Sequence, residues 1–280
     1  MYRNVLVHIP SERPVRAVVD VAVGLTLGHR AHLDAVGIGY ESMNSVGLMA
    51  EGGSAAVAAV MGQESERALE RANAAMSVFE VEARLAKIAY GTRVLAAIAA
   101  DAEETIGNLS RFYDLTIVSQ PDSSVFTYDN LVPQAVLFNS GGPMLMVPYI
   151  HKGPLYARHV GIAWDGSRLA ARALRDALPF LTAADAVTVI AVNEVRGNAG
   201  ESSSDGIVSH LARRGIDARV ERLTADRSNV HGIILSVAAD GNMGLLVMGG
   251  FGHSRLQERI LGGVTRGMFE SMTVPVLMSH

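Results

Sequence analysis

The residues best suited to chemistry form one stretch, Gly249-Gly250-Phe251-Gly252-His253-Ser254-Arg255, continuing to Gly262-Gly263-Val264-Thr265. Its spacing reads Gly249, two residues, Gly252, nine residues, Gly262, and it follows the apolar run Leu245-Leu246-Val247-Met248. Glycine after a parallel strand lets the backbone turn tightly and approach a ligand closely. Gly262 and Gly263 then open a helix predicted over Val264 to Ser271, whose free N–H groups and dipole favour an anion, most often a phosphate. The Thr265 hydroxyl can add a donor. The stretch is no Walker A loop, because no glycine precedes Lys-Ser or Lys-Thr. It also fails the dinucleotide fingerprint, since Arg255 stands three residues after Gly252. The competing reading is that these glycines only shape a turn and a helix cap.

Other chemistry is thinly represented. Among nine histidines, no His-x3-His pair with an acidic partner appears, so no metal site is assigned. Ser254 and Ser271 lack the Gly-x-Ser-x-Gly elbow of a hydrolase nucleophile. The absence of cysteine removes disulfides, thiolate metal sites and cysteine nucleophiles. His253 lies beside the glycine loop, to contact a terminal phosphate or to assist slow hydrolysis, or simply as a solvated loop histidine. Arg255, Arg259 and Arg266 stand ready to balance phosphate charge, or to remain on a solvated charged face. No residue stands out as a catalytic nucleophile or base.

The elements that must hold this stretch repeat with a period near half the chain. Arg3 to Ile9 matches Arg158 to Trp164, each a short apolar run suited to a buried parallel strand. A helical pattern follows each, at Val15, Val18, Val19 and Ala22, and at Ala170, Ala173, Leu174, Ala177 and Leu178. Second strands are predicted at His32 to Ile38 and Val187 to Val192, and helices at Gln63 to Leu85 and Asp205 to Arg214. Third strands follow at Tyr90 to Ala96 and Ala218 to Leu223, then helices at Ala102 to Leu109 and Val230 to Ala239. Fourth strands lie at Leu115 to Val118 and Leu245 to Met248. The fifth start at Pro143 and near Pro275, where a missing N–H is tolerated.

Strands alternating with helices predict an α/β fold, with two tandem doubly wound five-stranded parallel-sheet domains. The predicted boundary separates residues 1–150 from 151–280, with His151-Lys152-Gly153-Pro154 as linker. Ser42 to Gly62, rich in Gly, Ala, Ser and Met, reads as a mobile loop of the first domain, with a helical turn as an option within it. Hydrophobic residues make up 49% of the sequence and charged ones 19%, enough apolar content for real cores. A net charge of −4, with no basic run, argues against nucleic acid or anionic membrane as partner. No signal peptide or transmembrane stretch is recognised, so a cytoplasmic protein is expected.

The glycine spacing, its strand–loop–helix setting and the ending Val274-Pro275-Val276-Leu277-Met278 resemble the universal stress protein family in its tandem two-domain form. The likeness is strong from Ala157 to His280 and weak from Met1 to Val147. It implies an adenine nucleotide, ATP or AMP/ADP, in the second domain, with Mg2+ as an ion carried by the nucleotide. Carried over residue by residue, Gly249, Gly252 and Gly262 hold phosphate, with Gly263, Val264, Thr265 and His253 beside them. Asp165 meets the nucleoside and Val192 the base, with Ala163 at the end of the first strand. The family's Ser/Thr after the last glycine is Gly263 here. Asp165, standing before a helix, is also a natural capping residue, and both roles can coexist.

The first copy departs from this pattern. Gln120 stands for the first glycine, Pro121 removes an N–H, the loop Tyr128 to Pro133 has no glycine, and Pro10 replaces Asp165. A first domain that binds no ATP in the family manner is expected. Its expected use is structural, pairing with the second domain near the fifth strands as an intramolecular pseudo-dimer, with a homodimer also open. A divergent pocket lined by Asp122, Ser123 and Asn130 is the alternative. The function implied is a stress-response sensor or interaction module. Its rivals are a slow ATPase or adenylyl transferase, a ligand-free scaffold, and a flavin or dinucleotide binder.

Overall fold

The computed structural model describes residues 1–41, 55–194, 203–251 and 263–280, and no side chain at 55–58 or 60. Each half is built in the same way. In the first, β1 (Asn4–Ile9) is followed by α1 (Arg16–His29), β2 (His32–Tyr40), α2 (Ala55–Leu85) and β3 (Ala89–Ala97). Then come α3 (Ala99–Ser110), β4 (Leu115–Ser119), a 3-10 turn (Tyr128–Leu131), α4 (Val132–Asn139) and β5 (Met144–Val147). In the second, β6 (His159–Ala163), α5 (Arg168–Asp176), the short α6 (Leu178–Leu181) and β7 (Ala186–Val192) are followed by α7 (Ser204–Ala212) and β8 (Ala218–Leu223). The chain closes with α8 (Val230–Asp240), β9 (Leu245–Gly249), α9 (Val264–Ser271) and β10 (Val276–Ser279).

The strands form one ten-stranded sheet in the order β3-β2-β1-β4-β5-β10-β9-β6-β7-β8. All neighbours run parallel except β5 and β10, which pair antiparallel with Leu145 opposite Leu277. Each half therefore has the doubly wound order 3-2-1-4-5, and the halves share their fifth strands. The central strands are apolar on both faces because helices cover both sides of the sheet. Val5, Val7, Ile117, Leu145, Val247 and Leu277 belong to the core on one face. Leu6, Val118, Met146, Leu246 and Met278 belong to the core on the other. Edge strands β3 and β8 carry no fully buried residue, as their position at the rim requires.

The structure corrects the sequence reading at three places. Helix α2 begins at Ala55, so the last third of the predicted Ser42–Gly62 loop is helical. Its opening Ala-Ala-Val-Ala-Ala carries strong helix propensity but no polar face to advertise a period. Residues 42–54 lie outside the described residues. Pro143 and Pro275 stand one residue before β5 and β10, where their carbonyls accept the N–H of Thr116 at 3.1 Å and of Leu246 at 3.0 Å. The helix after β6 breaks at Ala177, with Pro179 in the first turn of α6, as a proline lacking an N–H dictates.

Candidate functional site

In each half the chain order reverses across the sheet between the first and fourth strands. A crevice opens there beyond the carboxyl ends of the strands, the place where open α/β sheets bind ligands. In the second half this is the gap between β6 and β9, whose register sets Ala163 beside Met248. Ala163 ends β6, half-buried, and Asp165 lies exposed two residues on. The Asp165 carboxylate Oδ1 accepts the Ser167 N–H at 2.9 Å, and Ser167 caps α5 by accepting the Ala170 N–H at 3.1 Å. Ser167 is thus the cap, and Asp165 props it while its side chain faces solvent. Val192 ends β7, half-buried, opposite Leu223.

Gly249 ends β9, and a Cβ on it would come within 2.7 Å of the Ala170 N and 2.8 Å of Leu169 backbone and side-chain atoms. Its bare backbone lets the first turn of α5 press onto the strand, which is a packing requirement. At Gly250 a Cβ would lie 2.9 Å from Leu137 of the first half. The chain then turns at Phe251 with φ 53°, a left-handed conformation uncommon outside glycine. From there the Phe251 N–H donates to the Thr265 hydroxyl oxygen at 2.9 Å.

That bond brings the start of the glycine loop against the first turn of α9. Gly263 is the residue before the helix, extended at φ −67° and ψ 149°, with no side-chain hydrogen bond capping it. Glycine has no side chain to offer the orphan amides of the first turn, and among the described residues no side-chain cap covers them. Val264 is half-buried, and Thr265 is 3% exposed. The Thr265 oxygen accepts the Phe251 N–H, tying loop to helix, and its O–H keeps a proton to donate. Arg266 pairs with Glu270 at 2.8 Å one turn along an exposed helix face. Gly252, His253 and Gly262, and with them Arg255 and Arg259, lie outside the described residues.

Sequence reading missed the rim beside β7. Glu194 accepts the Ser204 N–H at 2.7 Å and the Ser204 hydroxyl at 2.6 Å, and pairs with Arg222 at 3.1 Å. The Ser204 bonds hold the Glu194 carboxyl below its ordinary range. Asn193, at φ 59°, exchanges bonds of 2.8 and 2.9 Å with Ala225. These side chains lie far apart along the chain, and no local pattern links them.

At the equivalent place in the first half, side chains from the loops after β1 and β4 and from the 3-10 turn bond to one another. Ser119 pairs with Val147 as Gly249 pairs with Ser279, and the N–H groups of Gln120 and Gly250 donate to those same partners. Ser119 is therefore the counterpart of Gly249, and Gln120 of Gly250, one residue from the sequence assignment. Arg13 donates to the Gln120 carbonyl at 2.6 Å and to Asn130 Oδ1 at 3.0 Å. Asn130 also accepts the Asp122 N–H at 2.9 Å and donates to the carbonyls of Asp122 and Val125. Glu12 accepts from the Thr127 hydroxyl at 2.6 Å, and its N–H donates to Asp129 at 2.9 Å.

Deeper lies His8, 3.7 Å from Asp129, both almost fully buried, with the Tyr40 hydroxyl beside Asp129. Burial pushes His8 down to about 3, with Arg13 adding to the effect, so it is neutral. Burial pushes Asp129 up to about 6, against N–H bonds that favour its charge. Of the suggested pocket residues, Asp122 and Asn130 are thus bonded to each other. Ser123 is exposed.

Residues 157–280 match the model of the universal stress protein family. No protein of curated function matches the chain in sequence. Among solved structures, a universal stress protein from Archaeoglobus fulgidus DSM 4304 superposes over 98% of this chain and 97% of its own, with a TM-score of 0.70 at 15% identity. A candidate universal stress protein from Pseudomonas aeruginosa UCBPP-PA14 covers 99% and 93% at 0.59 and 13%. A functionally unknown protein from Pseudomonas aeruginosa PAO1 covers 99% and 92% at 0.58 and 15%. At such identities the likeness is one of fold.

Proposed function

We propose that this chain, whose residues 157–280 match the universal stress protein family, is a two-domain nucleotide-responsive module. It divides near residue 150, and one adenine nucleotide, ATP in first place, sits in the second domain. The observation that carries this reading is the Phe251–Thr265 bond, which ties the end of the β9 turn to the first turn of α9, a helix start with no side-chain cap at Gly263. Anions collect at such helix starts. In this reading Gly249, Gly252, Gly262 and Gly263 leave room for phosphates, and the amides of Val264 and Thr265 face them. Asp165 takes the ribose, and Ala163 and Val192 flank the base. Mg2+ arrives with the triphosphate, and His253 stands beside the phosphates.

The first domain serves as a partner within the chain and binds no nucleotide, the residues at its crevice, Arg13, Asn130 and Asp129, being bonded within the first half. The protein then works as a cytoplasmic stress-response sensor or interaction module, alone or as a homodimer. Differential affinity of two conformations for the nucleotide is what such a role requires.

Mass spectrometry of small molecules released from freshly purified, denatured protein tests the reading. An adenine nucleotide near one per chain supports it. A second reading, a ligand-free scaffold, is favoured by one observation: packing against α5 and Leu137 already accounts for Gly249 and Gly250. Absence of released nucleotide, with no thermal stabilisation by added ATP, ADP or AMP, selects the scaffold.

A further inference from the structure

The root of the glycine loop is held by the other half of the chain. Helix α4, from the first half, sets Leu137 against Gly250. Its next residue, Phe138, lies with ring centroid 4.9 Å from Phe251 and 4.8 Å from His280. His280 Nδ1 is 3.0 Å from the Gly250 carbonyl, which can only accept, so that nitrogen carries the proton. Phe269 of α9 closes the cluster, edge-on to Phe251 at 6.2 Å. The contact is reciprocal, since Gln120, the first-half counterpart of Gly250, donates from Nε2 to the Phe269 carbonyl at 3.1 Å.

Phe251 needs such a grip. Its left-handed backbone, φ 53°, is disfavoured for a residue with a Cβ and persists only where surroundings over-determine it. Among the described residues two things hold it: the bond from its N–H to Thr265, and a ring clamped between Phe138 and Phe269. Only the second depends on the first half.

We propose that Phe138 is a positioning residue for the nucleotide site of the other half, fixing the left-handed turn at Phe251 from which the phosphate loop departs. The inference rests on the nucleotide reading of that site. Ligand binds only the fraction of molecules whose loop is correctly turned, so releasing the clamp weakens apparent affinity in proportion. The first half thereby contributes to a site without touching the ligand.

Calorimetric ATP titration of the full chain tests this with Phe138→Ala, Phe138→Leu, Phe251→Gly and the double variant Phe138→Ala/Phe251→Gly. Phe138→Ala should weaken binding about tenfold, and Phe138→Leu should recover most of it. Glycine adopts the left-handed turn without help, so in the Phe251→Gly background Phe138→Ala should change affinity less than about twofold. Wild-type affinity in Phe138→Ala, with only a lowered melting temperature, overturns the inference and leaves the nucleotide reading standing. An equal loss in both backgrounds overturns it as well.

If the wild-type chain takes up no nucleotide, that reading fails and amide exchange decides the inference separately. Exchange of the Phe251 N–H should then be about tenfold faster in Phe138→Ala than in wild type; unchanged protection contradicts the proposal.

Discussion

The N–H of Phe251 donates to the Thr265 hydroxyl at 2.9 Å, and in the first half both counterparts of this pair are proline. Strand register aligns Phe251 with Pro121, and the fifth strands, pairing Leu145 with Leu277, align Thr265 with Pro133. One proline lacks the donor and the other lacks the acceptor, so the link from loop to helix cannot form. The first half uses Asn130 instead, bonded to the Asp122 N–H and carbonyl. The halves share a fold but tether the loop after the fourth strand by different chemistry.

Thr265→Val keeps the shape of a buried side chain and removes the acceptor of this bond. The Phe251 N–H loses its partner, which costs about 1–2 kcal/mol of stability. ATP affinity should fall by about tenfold if the loop root loosens with it. Urea unfolding measures the first effect and calorimetry the second.

Gly263→Ser should act in the opposite direction. The backbone there is extended, φ −67° and ψ 149°, which any residue adopts, and serine is a favoured helix cap where glycine is only tolerated. Stability should rise by a few tenths of a kcal/mol, and ATP should bind a few-fold tighter as a hydroxyl joins the phosphate site. Weaker binding with raised stability would mean that the added side chain competes with phosphate for the helix amides.

Asp129 gives a pH signature with a definite sign. Its folded value is raised from 3.8 to about 6, so the folded state holds a proton that the unfolded chain has released between those values. The stability this contributes is fully present below pH 3.8 and lost as pH rises through about 6. Asp129→Asn lacks that titration. Wild-type stability minus variant stability should therefore be larger at pH 4 than at pH 7, by up to about 3 kcal/mol. His8, held down near 3, works the other way in both proteins: its contribution is present above pH 6.5 and lost toward pH 3. Denaturant unfolding across pH 4–7 checks the difference.

Arg13→Ala removes the guanidinium that joins the Gln120 carbonyl to Asn130. Two partners then lose a charged donor, at a cost of about 1–3 kcal/mol. ATP affinity should stay within about twofold of wild type, because the change is confined to the first crevice. Thermal unfolding and titration of the same sample separate the two effects.

The sequence made the sheet legible because central parallel strands are short apolar runs, and Leu115–Val118 and Leu245–Met248 end within one residue of β4 and β9. Helix α9 was read to its limits because the pair Gly262-Gly263 marks its start. The start of α2 was missed, since an alanine-rich turn carries no polar alternation. The bonding at the first crevice was not legible, for Arg13 meets Asn130 across 117 positions and no local spacing announces such a bond. The same holds for Phe138 and Phe251. A glycine motif can be read as a motif, but its neighbours from another half of the chain cannot.

The central claim, one nucleotide site in the second half and none in the first, is tested most directly by the stoichiometry of a calorimetric ATP titration on protein stripped of bound small molecules. The account predicts a single site per chain, abolished by Gly263→Asp, which sets a carboxylate where phosphate should lie. Two sites per chain would contradict a first half that binds no nucleotide, and no heat with ATP, ADP or AMP would contradict the site altogether.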